Sequence, residues 1–197
     1  DFVGAPAGMT IADFITANGA NIQVLGDDYA LAQYDNATGQ YTRYPTASQT
    51  GSFTPAEGYA LAMSLEDVPP PPAGGVPGAT AAFTGTMETT SQSINIVNNH
   101  DGAGGRRWNL VSNPFPSFIK GNGAAGTNNF LDTNSAVMDD TFTGVYGWNG
   151  ADYDIYNLLD GAFSIAPGQG FWVAALSTSG DDLDFTAAMR TTTGTGD

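Results

Sequence analysis

The chain of 197 residues carries five basic and twenty acidic side chains, a formal net charge of −15, which repels phosphate backbones and anionic lipid and sets both aside as partners. It has no cysteine, which excludes disulfides, thiolate metal sites and a cysteine nucleophile. Hydrophobic residues make up 41%, enough for a core. No apolar run approaches the roughly 18 residues of a membrane span, so membrane insertion is not expected.

In chain order, short strands are expected near 2–3, 22–25, 29–34, 41–44, 51–54 and 59–64. Residues 35–39 (DNATG) carry the Asn and Gly of a hairpin turn. One helix is expected over 10–18, where Thr10 can cap and Ile11, Phe14 and Ile15 share a face. Residues 69–78, dense in Pro and Gly, read as a stiff connector. Residues 79–87 and 93–98 alternate like paired strands, and 98–105 is a loop. Further strands are expected at 108–112, 144–148, 153–156, 162–165, 170–176 and 184–188. Residues 121–128 read as a glycine-rich loop and 124–134 carries no clear pattern. The tail 191–197 reads as a linker to further domains, and the chain as a mature fragment without a signal peptide.

The order of motifs shows that the chain is written twice. Residues 2–6 return at 109–114, the Phe14-Ile15 pair at Phe118-Ile119, and the Asp27-Asp28 doublet at Asp139-Asp140. Tyr34 answers to Trp148, Tyr41 to Tyr153, Tyr44 to Tyr156, Gly58 to Gly170 and Phe83 to Phe185. The expected fold is therefore all-β: one pseudo-symmetric, β-sandwich-like domain of two repeats of short antiparallel strands, with at most one or two short helices. Repeat one covers 1–98 and repeat two 106–190.

Residues 107–117 (RWNLVSNPFPS), 165–173 (IAPGQGFWV) and 185–190 (FTAAMR) resemble the repeated, non-catalytic β-rich module of large secreted and surface proteins of Bacteroidota, which sits ahead of a type IX secretion sorting domain. The first half, with 34–41 (YDNATGQY) and 53–59 (FTPAEGY), is similar in a worn form. The resemblance implies export and display at the cell surface or release, and brings no catalytic residues.

His100 is the only histidine and lies in a polar turn, with no Gly-x-Ser-x-Gly elbow in the chain. The two glutamates, Glu57 and Glu88, stand in no string that suggests a glycosidase pair. Calcium is the cofactor to weigh, none being required: Asp152, Asp154 and Asn157, and Asp181, Asp182 and Asp184, offer hard oxygen ligands in acidic clusters. Solvated turn carboxylates are the plainer account of both. Trp148, Tyr153, Tyr156 and Trp172 are the candidate ligand-binding rings, able to stack on sugars from an exposed sheet. Core packing is the plainer account of these too. Phe171 and Trp172 must point to opposite faces of their strand, so one can be core and the other exposed.

These features lead to the expectation of a non-catalytic structural or adhesive module, extracellular or at the outer surface, that provides spacing or self-association. A carbohydrate-binding module, with or without calcium, is the alternative, and an enzyme is the weakest reading. Other domains of the same polypeptide, glycans and further copies of the chain are the expected partners.

Overall fold

The computed structural model describes residues 1–63, 80–100, 106–124 and 126–194. The expected connector 69–78 lies outside them. The described residues are mostly β, with two short α-helices among them. Its elements are β1 (Phe2–Val3), α1 (Ile11–Asn18), β2 (Val24–Leu25), β3 (Asp28–Asp35), β4 (Gln40–Pro45), β5 (Tyr59–Leu61) and β6 (Gln92–Ile96). They continue with β7 (Trp108–Ser112), β8 (Phe118–Asn122), α2 (Phe130–Asn134), β9 (Val145–Trp148), β10 (Tyr153–Tyr156), β11 (Phe163–Ile165), β12 (Gly170–Ala174), β13 (Asp181–Phe185) and β14 (Arg190–Thr191).

The duplication is visible in the pairing. In the first sheet β5 lies between β1 and β3, and β3 pairs with β4. In the second, β12 lies between β7 and β9, and β9 pairs with β10. The registers agree residue by residue: Tyr34 faces Tyr41 and Trp148 faces Tyr153, while Phe2 faces Ala60 and Leu110 faces Trp172. The two hairpin aromatic pairs have nearly the same geometry, 5.3 Å at 64° and 5.2 Å at 65°.

The helices correspond as well. Thr10 caps α1 by accepting from the Asp13 N–H, and Asn129 caps α2 by accepting from that of Asp132. Each helix ends in a buried asparagine that bonds into the far end of its own repeat. The Asn18 amide donates to the carbonyl of Ala82 and accepts from its N–H, and Asn134 does the same with Asp184. A buried amide must have its donors and acceptor met, and here it fixes the next residue, Phe83 or Phe185, over its helix. Phe83 stacks on Phe14 at 4.8 Å, and Phe185 lies 5.2 Å from Phe130. Two cores result, one around Phe14, Phe53 and Tyr59, the other around Phe130, Phe171 and Phe185. Each fully buried ring contributes about 1.5–3 kcal/mol.

Several expectations are corrected. Phe14-Ile15 is helical whereas Phe118-Ile119 is strand, so Phe14 answers to Phe130 and the pair does not recur. The acidic doublets are not equivalent either: the Asp139 N–H bonds Ala174 O as that of Gln23 bonds Ala62 O, which places Asp139 on Gln23. Strand β6 pairs with β13, not with 79–87. That pairing draws the end of the stretch assigned to repeat one into the second core, through Ile96. The strand expected at 184–188 starts at Asp181. Strand β8 runs on through Gly121 and Asn122, and the patternless stretch holds α2.

The repeats meet through a reciprocal joint. In repeat one the turn Thr54-Pro55-Ala56-Glu57 closes with Glu57 N–H to Thr54 O, and in repeat two Gln169 N–H closes on Ala166 O. Proline at the second turn position and φ of +64° at Ala56 and +66° at Gly168 are the requirements of a type II turn. Each turn reaches into the edge strand of the other repeat: Gly4 N–H donates to Gly168 O, and Ser112 N–H to Ala56 O, both at 2.8 Å. The bridges Val3 with Gln169 and Glu57 with Val111 are the same contact seen twice. The next residue is a glycine because there is no room for more: a Cβ on Gly58 would lie 2.7 Å from Leu110 Cγ, and one on Gly170 2.7 Å from the Phe2 carbonyl carbon.

A methyl group forced into this joint must displace backbone, whereas the same group on Gly147 in β9 meets nothing within 4 Å. Gly170→Ala and Gly58→Ala are each expected to destabilise by about 1–3 kcal/mol, with Gly147→Ala close to neutral. Urea unfolding of the three variants checks this, and equal midpoints would remove the joint from its place in the fold.

Candidate functional site

Along β12 the side chains alternate, so Phe171 enters the core and is fully buried while Trp172 turns to the other face. That face is not open to solvent as its counterpart was expected to be. Trp172 is 8% exposed, because repeat one covers it. Tyr34 of β3 meets the indole edge to face at 4.7 Å and 86°, Tyr41 of β4 lies 6.4 Å away, and Phe2 of β1 closes at 5.6 Å. The same alternation places Tyr146 and Trp148 of β9 opposite the core residue Val145, and Trp108 at the start of β7 packs on Tyr146 at 4.6 Å.

Between the repeats these rings leave a cleft of about 300 Å³ lined by Tyr34, Tyr41, Trp108, Tyr146, Tyr153 and Trp172. All six are aromatic, two from repeat one and four from repeat two. The volume lies at the small end of the roughly 300–1,000 Å³ typical of small-ligand pockets. The indole N–H of Trp172 is buried without a hydrogen-bond partner among the described residues, and a buried donor left unmet costs about 1–3 kcal/mol.

Polar contacts outside the cup hold its walls. Arg107 pairs with Asp139 at 2.6 Å and lies 5.1 Å over the ring of Phe142, which in turn packs on Trp108. The Asn36 amide in the β3–β4 turn donates to the carbonyls of Arg106 and Trp108 at 2.7 and 2.8 Å and accepts from Asn99. Arg106 returns a bond to Ala37 O. This clamp ties the Tyr34–Tyr41 hairpin to the segment that carries Trp108.

Of the sequence candidates, Trp172 and Tyr153 line the cup and Trp148 stands beside Tyr153 at its edge. Tyr156 does not join them; it packs against the second core, stacked on Phe163 at 4.7 Å. Tyr34, Tyr41, Trp108 and Tyr146 were missed. The signal that could have found them is the alternation of β3, β4 and β9, which puts Tyr34, Tyr41 and Tyr146 on the face of Trp172.

The candidates at 152–157 hold their own turns. Asp152 accepts from its neighbour's backbone N–H, Asp154 from the side-chain amide of Asn149, and Asn157 from the Leu159 backbone N–H. On β13, Asp182 and Asp184 point away from the face that carries Asp181 with the buried Leu183 and Phe185, so the three carboxylates do not converge. Among the described residues no three acidic or histidine side chains form a cluster able to hold a metal ion. His100 is exposed, its N–H bonded to Asn98 Oδ1.

Burial raises the phenol pKa values of Tyr34, Tyr41 and Tyr146. Tyr41 is pushed up to about 12, first by burial and then by Tyr153 and Tyr34. Tyr34 is raised by burial and Asp35, and Tyr146 by burial and Asp139. A raised phenol pKa means the folded chain holds its proton longer than the unfolded chain. Stability is therefore full below pH 10, the unfolded value, and falls as pH rises towards 12. A phenolate absorbance titration is expected to show a group of late-ionising tyrosines, with Tyr41→Phe removing a step near pH 12 and reducing the alkaline loss of thermal stability. If every tyrosine titrates near 10, the cup is not packed as described. Comparison of the chain with family models, with curated proteins and with solved structures returned no match.

Proposed function

We propose that the chain is a non-catalytic glycan-binding module of a secreted or surface-displayed protein, and that the inter-repeat cup is its sugar site. The single observation that carries this is a cleft walled entirely by Tyr and Trp rings. Flat apolar faces match the C–H faces of a pyranose, and each ring also carries a hydroxyl or an N–H at its edge for the sugar's oxygens. The described residues that line the cup are all Tyr and Trp, a lining suited to holding a sugar and without the carboxylate pair of a glycosidase.

An aromatic cage is also the usual receptor for quaternary ammonium groups. The unmet Trp172 N–H favours sugar over such a cation. It is a donor in need of an acceptor, which a sugar oxygen supplies and a quaternary ammonium does not. The net charge of −15 works against acidic glycans, so a neutral sugar is the ligand class. The purely structural module expected from sequence corresponds to a cup that binds nothing.

The test is a glycan array followed by calorimetry, with choline and tetramethylammonium as the cationic controls. Neutral oligosaccharides are expected to bind and to change the indole fluorescence. Trp108→Ala should weaken them about 5-fold, in line with about 1 kcal/mol for one ring contact, while circular dichroism reports an intact fold. Binding of the ammonium probes alone would replace the glycan by a cation, and binding of neither would leave a spacer.

A further inference from the structure

The cup has a pseudo-symmetric twin. Repeat one maps onto repeat two with Tyr34 on Trp148 and Tyr41 on Tyr153, and by the strand registers with Ala60 on Trp172 and Ala32 on Tyr146. Carried through that mapping, the cup becomes a cleft walled by Trp148, Tyr153 and Tyr41 and floored by Ala32 and Ala60. Such a cleft exists. It measures about 390 Å³, and Phe2, Arg43 and Asp1 complete its lining with Ala30, Leu61 and Ala62. The two clefts share Tyr41 and Tyr153, so they adjoin across the pseudo-two-fold axis, a ring-walled cup on one side and an alanine-floored trough on the other.

Resting on the glycan reading of the cup, we infer that cup and trough act as one channel, which takes a linear neutral oligosaccharide rather than a terminal sugar, one unit in the cup and the next in the trough. Three observations lead there. The shared tyrosines give both subsites a common wall, so a ligand seated in the cup and extended by one unit meets the trough. In the trough small residues replace Trp172 and Tyr146, which leaves depth for a substituted or differently tilted ring. Arg43 and Asp1 line it with a donor and an acceptor, the complement that sugar hydroxyls require. Arg43 is exposed and its side chain makes no hydrogen bond or ion pair with the described residues, so its donors are available to a ligand.

Ladders of one to six units of β-1,4-linked glucose, xylose and mannose and of α-1,4-linked glucose, titrated calorimetrically and by ligand-observed NMR, test this. Affinity is expected to rise at least 10-fold from one unit to three or four. Ala60→Tyr, which fills the trough from its floor, and Arg43→Gln, on an exposed strand position, should each reduce that gain while monosaccharide affinity stays within 2-fold. Two variants are used because Ala60→Tyr alone could disturb β5. Affinity independent of length, or length dependence untouched by both variants, overturns the two-subsite channel and leaves the cup in place. If hexuronate oligomers bind more tightly than every neutral ladder, the neutral chain is the wrong occupant. If no ladder member binds at all, the glycan reading of the cup fails, and the channel with it.

Discussion

The structure depends on one steric constraint, the close approach of two turns to two edge strands. Gly58 and Gly170 are the points where backbone of one repeat lies against backbone of the other with no space for a Cβ. Because the contact is reciprocal, each repeat supplies both a turn and a strand, and each of the two edges is partly covered. Unpaired strand edges invite association with other chains; here the edges of β1 and β7 are partly consumed by the partner repeat through Gly4 to Gly168 and Ser112 to Ala56. The joint also sets the distance between the two hairpins, and hence how far Tyr41 and Tyr153 stand apart over the channel.

The joint requires a positive φ two residues before each glycine, and the two copies meet that demand differently. Gly168 adopts it freely, whereas Ala56 holds φ +64° with a side chain, a conformation that costs an L-residue roughly 1–2 kcal/mol. The Ala56 methyl is buried and belongs to the core of the other repeat. Its burial, worth about 0.8 kcal/mol for one carbon, offsets part of that strain. Copies of one turn have thus reached similar geometry by different balances.

Much of this was legible in the sequence, for reasons that differ by element. The hairpin at 35–39 and the α1 helix were readable because Asn, Gly and an N-terminal Thr act locally, through φ and a single side-chain bond. The duplication was readable wherever a residue type is dictated by geometry, as at Gly58 and Gly170. Where it misled, spelling recurred without geometry: Phe-Ile at 14 and 118 and Asp-Asp at 27 and 139 are common pairs that happen to fall at similar offsets. The equivalence of Asn18 and Asn134 went unread because its content is a pair of bonds to backbone more than 45 residues away, which leaves no local trace. The pairing of β6 with β13 is non-local in the same way. Of the site, Trp148, Tyr153 and Trp172 were readable as aromatics on strands, but the cup needs rings from both repeats, and only the joint brings those together.

The two faces of each sheet obey different rules, and that explains where the copies agree and where they part. On the core face a position must match the helix above it, so Tyr59 and Phe171 are both fully buried rings, and Phe83 and Phe185 both pack over a helix Phe. Dense packing leaves little freedom there. On the opposite face no helix intervenes. The neighbours are hairpin rings of the other repeat, and a change from Ala to Trp alters the depth of a cleft instead of the volume of a core. Ala32 and Ala60 against Tyr146 and Trp172 are such changes. A duplicated domain can therefore keep its scaffold symmetric while its opposite face becomes asymmetric, and under the glycan reading proposed above that asymmetry would give a polymer with direction a preferred way to lie across an otherwise two-fold frame.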